Sequence, residues 1–166
     1  MSRAFVKEEQ AELPPIAAPR AALPVSVPNY VTERGLELLR SELEALTVER
    51  ARIESSLEES QRALALSVFA QRKGALDERL ASAIVVPPKP SADEIRFGTS
   101  VIVLGQDGIK RKYQLVGVDE AEPAQGRIAF VSPVARALLG RRAGDVTTVR
   151  TPRGEETLEV VSVGYD

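Results

Sequence analysis

The chain of 166 residues contains no cysteine and no histidine. Without cysteine there is no disulfide and no thiolate metal site, and without histidine the usual general base and the commonest transition-metal ligand are missing. Most familiar catalytic and metal-binding constellations are therefore excluded. We expect neither an enzyme nor a bound cofactor.

The chain also lacks an excess of positive charge. Its net charge is -2, and residues 1–31, 32–86 and 87–166 carry net charges of 0, -2 and 0. Strong nonspecific binding to nucleic acid depends on a positive excess that releases counterions. We therefore expect no direct sequence-specific nucleic-acid binding, and an action near nucleic acid would need a protein partner.

Long apolar segments are missing as well. No apolar run approaches the roughly 20 residues that cross a bilayer. Residues 1–9 turn acidic at once, which is not the pattern of a secretory signal. These features predict a cytoplasmic protein that makes no membrane contact.

Residues 1–31 contain five of the eleven prolines and show neither a helical nor an alternating period. Proline removes a backbone donor and disfavours helix at the preceding residue. The segment is therefore predicted to be an extended or disordered tail. The alternative is a short partner-binding strip around Phe5 and Val6.

Residues 32–86 are predicted to form an antiparallel helical hairpin. Thr32 suits the N-cap of the first helix, and Pro87-Pro88 ends the second. Between them, apolar residues follow the heptad spacing of a coiled coil in both arms. These seam positions are Leu36, Leu39, Leu43, Leu46, Ile53 and Leu57 in the first arm, and Leu66, Phe69, Leu76, Leu80 and Ala83 in the second. Each arm would be roughly 35 to 40 Å long at helical rise.

The tip of the hairpin is the end that a projecting rod presents to its target. It is predicted to lie between Ser56 and Arg62, a stretch without His, Cys or Asp. After Leu57, the tip residues are all polar: Glu58, Glu59, Ser60, Gln61 and Arg62.

After a linker at residues 87–95, the periodicity of residues 96–166 changes to two, which is typical of strands. Asp107-Gly108 suits a tight hairpin turn, and Ser132, Pro133 and Gly140 suit the start and end of a short helix. The strand candidates are Thr99–Leu104, Ile109–Val118, Arg127–Val131, Val146–Thr151 and Glu156–Val163. The prediction is an α+β fold in which the hairpin precedes an antiparallel sheet with one short helix.

At this point the residues resemble a known family. Several segments are similar, in order and spacing, to the bacterial GreA/GreB transcript-cleavage factors. The segments that resemble the C-terminal domain are Phe97-Gly98, Leu115–Glu122, Val131–Gly140, Ala143–Asp145 and Thr151–Glu155. Tyr30–Leu36 resembles the start of the family's coiled coil, and Ser2–Glu8 resembles the N-terminus of some GreB-like members.

The resemblance implies a coiled coil that enters the secondary channel of RNA polymerase and an FK506-binding-protein-like domain that docks on the polymerase rim. In cleavage-active members the tip carries an Asp and a Glu in a Gly-Asp-x-x-Glu-Asn-Ala stretch. These carboxylates help to hold a second Mg²⁺ that hydrolyses the backtracked transcript. This chain has no such stretch, and relative to the family its hairpin lacks about two heptads, or roughly 10 Å of reach.

Both departures predict polymerase binding without cleavage, because Mg²⁺ demands near-ideal octahedral placement. The alternative is that Glu58 and Glu59 support the metal in place of the family's pair.

The resemblance also implies polymerase contacts by five residues of the sheet domain. These are Asp119, Glu120, Ser132, Pro133 and Arg136. The local alternative is that Ser132 only caps the short helix while Asp119 and Glu120 sit in a solvated turn.

Two other classes stay open. The implied fold is shared with prolyl isomerases, whose sites are aromatic-lined pockets, and this domain offers Phe97, Tyr113, Phe130 and Tyr165. The seam would also suit an adaptor that dimerises through its coiled coil. We expect a monomer, in which the two arms pair within one chain.

Overall fold

A computed structural model describes residues 19–89 and 93–165. The helices are α1 (Glu33–Ser56), α2 (Glu59–Ala81) and α3 (Pro133–Leu138). The strands are β1 (Tyr30–Val31), β2 (Ile84–Val85), β3 (Ser100–Gly105), β4 (Lys110–Val116), β5 (Arg127–Ala129), β6 (Val146–Thr151) and β7 (Gly154–Gly164). Within these described ranges, no helix combines the length and the apolar character that crossing a membrane requires.

The two long helices form the predicted hairpin. The Thr32 hydroxyl accepts a hydrogen bond from the Gly35 amide at 2.9 Å, which caps α1 as expected. The heptad seam is confirmed by the buried residues Leu39, Leu46, Ile53, Phe69 and Leu76, whereas at the start of α2 Ala65 is buried and the predicted Leu66 only partly so. At 24 and 23 residues, α1 and α2 are each about 35 Å long at 1.5 Å per residue.

Charged residues interrupt the seam near the middle of the hairpin. Arg50 pairs with Glu54 and Lys73 with Asp77, each one helical turn along its own helix. All four side chains are about half exposed, so the interruption is solvated and leaves the core intact.

Five strands form the sheet of the C-terminal half, in the order β5-β4-β3-β7-β6. The sheet is antiparallel except at one edge, where β5 runs parallel to β4. The parallel pair arises because residues 117–126 make two short 3₁₀ turns that carry the chain back along β4, so that Arg127 lies beside Gln114. Sequence periodicity does not reveal the direction of a strand, and the prediction of an antiparallel sheet does not hold at β5.

The turn and cap predictions for the sheet domain are confirmed. Gly108 has a φ of 75°, and the Asp107 carboxylate accepts a hydrogen bond from the Ile109 amide at 3.0 Å. Ser132 caps α3 by accepting from the Ala135 amide at 3.3 Å. Helix α3 packs on the sheet and closes a core that includes Ile95, Val101, Val103, Leu115, Ala135, Leu138, Val149, Leu158 and Val160.

The structure differs from the predicted tail and linker. Residues 19–31, hereafter the leader segment, contact the hairpin and the sheet domain through Arg20 at one end and Asn29 to Val31 at the other, and β1 pairs in parallel with β2 just after α2. The remainder of the tail, including the strip around Phe5 and Val6, lies outside the described residues. Ile95, the last residue of the predicted linker, is fully buried in the sheet core, so the sheet domain begins before Arg96.

Candidate functional site

The hairpin turns at its tip through only two residues, Leu57 and Glu58. Leu57 is half-buried and ends the apolar seam, whereas Glu58, Glu59 and Ser60 are exposed. The tip is therefore a blunt turn with two solvated carboxylates beside each other in sequence.

One arginine organises this turn. The Arg62 guanidinium donates a hydrogen bond to the Leu57 carbonyl oxygen at 2.9 Å, across the end of α1. Helix α1 has no basic residue in its own last turn, so Arg62 supplies the positive charge that a helix C-terminus favours. The side chain of Glu58, the N-cap of α2, makes no capping hydrogen bond.

The metal chemistry of the tip follows from these positions. Mg²⁺ takes six oxygen ligands in near-octahedral geometry. Across residues 19–89 and 93–165, no group of three or more His, Cys, Asp or Glu side chains is placed to hold a metal ion. Glu58 and Glu59 would therefore need ligands from a partner to support a metal.

The five predicted docking residues fall into two separate groups. Ser132, Pro133 and Arg136 lie at the start of α3, where Ser132 is half-buried as the helix cap while Pro133 and Arg136 are exposed. Asp119 and Glu120 lie in the 3₁₀ turn Val118–Glu120, which packs against α1.

The expectation of a solvated turn at Asp119 and Glu120 is wrong. Their side chains are only 9% and 2% exposed. Asp119 lies 2.5 Å from Arg20 and 3.1 Å from Arg79, which belong to the leader segment and to α2. These two carboxylates therefore join the sheet domain to the base of the hairpin, and we call this contact the junction.

Glu120 makes the second polar contact of the junction. It accepts a hydrogen bond from the Thr32 hydroxyl and lies 3.8 Å from the Arg34 guanidinium. Thr32 thus has two roles, since its oxygen also caps α1. A Cβ on Gly35 would lie 2.9 Å from a Glu120 carboxylate oxygen, so a residue without a side chain allows this approach.

A second glycine allows the leader segment to approach the sheet domain. A Cβ on Gly117 would lie 2.7 Å from the Tyr30 carbonyl oxygen. Beside it, the rings of Tyr30, Phe97 and Phe130 pack together with centroid separations of 5.4 to 5.8 Å. Two of the aromatic residues considered for an isomerase pocket therefore pack against each other and against the leader segment.

Charge reinforces the leader contact. Burial lowers the pKa of Arg20, but hydrogen bonds to Glu42 and Asp119 outweigh this effect and raise the pKa above its usual value. Arg20 thus stays charged while its side chain is only 17% exposed.

Sequence reasoning missed Arg20, Glu42 and Arg79. Arg20 and Asp119 are 99 residues apart, and no short motif links them. The available signal was Gly35 and Gly117, two glycines outside tight turns, where close approach of another segment is the common reason for glycine.

Sequence comparisons with known proteins identify the family of this chain. Residues 89–165 match the family model described as "Transcription elongation factor, GreA/GreB, C-term". The chain is 36% identical over 152 residues to the transcription elongation factor GreA of Alkalilimnicola ehrlichii, a match that covers 81% of this chain and 96% of that protein. The chain therefore belongs to the GreA/GreB family of transcription elongation factors.

Two further matches differ in how much of each chain they cover. The chain is 40% identical over 92 residues to the GreB of Neisseria meningitidis serogroup B, which covers 54% of this chain and only 56% of that protein. Among solved structures, the GreA factor homolog 1 of Thermus thermophilus is 25% identical, with 81% of this chain and 97% of that chain covered and a TM-score of 0.40.

Proposed function

We propose that this chain binds RNA polymerase with its hairpin in the secondary channel and its sheet domain on the rim, and that it does not stimulate transcript cleavage. The proposal includes action as a monomer in the cytoplasm, with no catalytic group or cofactor of its own. Polymerase binding is the shared property that membership of the GreA/GreB family implies. The observation that carries the absence of cleavage is the tip.

The tip offers too few metal ligands for metal-assisted hydrolysis. Glu58 and Glu59 are exposed, adjacent in sequence and unsupported by a third acidic residue in the described part of the chain. A metal needs its ligands at fixed positions, and displacement by about 1 Å can cost two orders of magnitude in rate. Two exposed carboxylates without supporting contacts do not meet that requirement.

The length of the hairpin supports the same conclusion. The 152 aligned positions shared with the Alkalilimnicola protein use 81% of this chain's 166 residues, or about 134, so about 18 positions have no residue here. A hairpin shortened by about two heptads, roughly 14 residues, would account for most of that difference. The tip would then stop roughly 10 Å short of a full-length tip.

For docking, the structure favours the α3 surface over the junction. Pro133 and Arg136 are exposed, and a surface cation suits electrostatic steering toward an acidic partner. Asp119 and Glu120 are occupied within the chain. We therefore keep Ser132, Pro133 and Arg136 as proposed polymerase contacts and assign Asp119 and Glu120 to the junction.

A blunt hairpin in the channel would act by occupancy. It would exclude cleavage-active relatives from the same site by mass action, without any catalytic group. The expected outcome is competition with cleavage factors.

The direct test is dinucleotide release from a backtracked polymerase complex. The wild-type chain should give the background rate, and Glu58→Gln with Glu59→Gln should change nothing. As a positive control, a variant that carries the family's longer hairpin and Gly-Asp-x-x-Glu-Asn-Ala tip should release the dinucleotide. Efficient release by the wild-type chain that is lost in the glutamine variant would refute the absence of cleavage.

A further inference from the structure

The leader segment contacts both halves of the molecule, and this exceeds what a connecting tail requires. We propose that the leader segment is a strap that fixes the direction of the hairpin relative to the sheet domain, with Arg20 as its positioning residue. The inference deepens the proposed function, because a direction matters only if both halves must meet one partner at once.

Arg20 bonds to two carboxylates that belong to different parts of the chain. Its Nη1 lies 2.5 Å from Asp119 in the sheet domain, and its Nη2 lies 2.6 Å from Glu42 on α1. A planar guanidinium holds two acceptors in a fixed geometry, which a lysine ammonium does not. The side chain therefore ties α1 to the sheet domain in one relative orientation.

The rest of the leader segment holds Arg20 in place. The Arg79 guanidinium on α2 donates to the Ala21 carbonyl oxygen, and the Asn29 side chain donates to the Arg79 carbonyl oxygen at 2.8 Å. Further along, the Ile84 amide donates to the Asn29 carbonyl oxygen at 2.9 Å, next to the β1–β2 pair. The segment is thus anchored near both of its ends.

Arg20 is the member of this network whose loss affects orientation more than folding. Without Arg20, Asp119 still lies 3.1 Å from Arg79, and Glu42, already 41% exposed, turns to solvent. Asp119 therefore keeps an opposite charge beside it, although its Oδ2 makes no hydrogen bond, and Glu42 is not left buried. Loss of Asp119 would instead leave Arg79, with a side chain only 8% exposed, without its carboxylate.

A fixed direction would matter for binding at two points. When one part of a molecule is bound, the second part binds at an effective concentration set by the geometry that joins them. A hairpin that samples many directions presents its tip to the channel less often. The strap therefore raises affinity without contacting the partner.

The direction of the hairpin can be measured without polymerase. Because the chain has no cysteine, Ser60→Cys at the tip and Thr148→Cys on the exposed edge strand β6 accept two spin labels selectively. The distance distribution between the labels should be narrow in the parent chain. In Arg20→Gln, detached orientations should become about tenfold more populated and the distribution should broaden.

The matched control is Arg50→Gln, which removes an exposed ion pair within α1 and leaves the leader segment untouched. It should leave the distribution narrow. The helical circular dichroism of both variants should equal that of the parent chain, which separates orientation from folding. A distribution in Arg20→Gln as narrow as in Arg50→Gln would overturn the proposal.

A second measurement separates this inference from the proposed function. In a polymerase-binding assay, Arg20→Gln should bind about tenfold more weakly than Arg50→Gln. Equal affinities of the two variants would show that the strap does not serve binding. If the parent chain itself fails to bind polymerase, the proposed function fails, and the label distances alone decide whether the strap exists.

Discussion

Replacing Asp119 by alanine removes the carboxylate on which the junction depends. Asp119 is 9% exposed and is shared by Arg20 at 2.5 Å and Arg79 at 3.1 Å. The substitution leaves the Arg79 guanidinium buried, with the Ala21 carbonyl oxygen as its remaining partner. The free energy of unfolding should therefore fall.

The size of the effect follows from burial. Removal of one partner of a buried ion pair costs about 3 to 5 kcal/mol, because the other charge stays desolvated. Arg20 can turn toward Glu42 and solvent, and Arg79 keeps one acceptor, so we expect the lower end, about 3 kcal/mol. Asp77→Ala is the matched control: its pair with Lys73 is about half exposed and contributes at most about 0.5 kcal/mol.

The assay is urea unfolding of both variants, followed by far-UV circular dichroism. If the hairpin and the sheet domain separate before they unfold, Asp119→Ala should also split the transition into two steps, while Asp77→Ala should not. Exposed ion pairs one helical turn apart contribute up to about 0.5 kcal/mol. If the free energies of unfolding of Asp119→Ala and the control differ by less than about 0.5 kcal/mol, the structural role of this carboxylate is refuted. Its assignment as a docking residue would then be restored.

Three further predictions concern stability and protonation. Gly117→Ala should lower the free energy of unfolding by about 1 to 3 kcal/mol, because its Cβ would lie 2.7 Å from a backbone oxygen, whereas Gly74→Ala, in open space on α2, should raise it by about 1 kcal/mol. If the melting temperatures of the two variants shifted in the same direction, the prediction would be contradicted. Leu76→Ala, at 0% exposure in the hairpin core, should cost about 2 to 5 kcal/mol in the same assay, and a loss below 1 kcal/mol would disagree with the seam. Hydrogen bonds from the backbone amide of residue 109 and from Arg111 lower the pKa of Asp107 below 3.8, so its contribution to stability is present above that pH and is lost as the pH falls through the folded-state pKa. Carboxyl titration by NMR should show a pKa of Asp107 below 3.8, and Arg111→Gln should raise that pKa. A pKa of Asp107 at or above 3.8 in the parent chain would contradict the prediction.

Much of the fold could be predicted because local patterns determine it. The heptad seam from Leu36 to Leu57 requires a partner helix, and the Asp107-Gly108 turn and the Ser132 cap each specify their own geometry over three or four residues. The tip could be placed because it lies midway between two arms of nearly equal length. These features need no knowledge of distant contacts.

The rest depends on contacts between residues far apart in sequence. The prolines of residues 19–31 disfavour helix, but a non-helical segment suits both a free tail and a strap. Only the positions of Asp119 and Arg79 decide between them. In the same way, the parallel direction of β5 follows from the path of residues 117–126, which has no periodic signature.

In the candidate site too, local features could be predicted and contacts between distant residues could not. The composition of the tip could be read directly, and the structure adds the Arg62 contact that closes it. For Asp119 and Glu120, the residue types suggested a solvated surface, because Asp and Glu are seldom fully buried unless they are paired. Their partners Arg20, Arg34 and Arg79 explain the exception.

The central claim is that the hairpin occupies the polymerase channel without supporting hydrolysis. The most direct measurement is the rate of transcript cleavage by a fixed amount of a cleavage-active GreB on backtracked polymerase, as this chain is added. The rate should fall toward background in proportion to occupancy, as expected for two ligands of one site. A rate that stays constant at saturating concentrations of this chain, or that rises, would contradict the account.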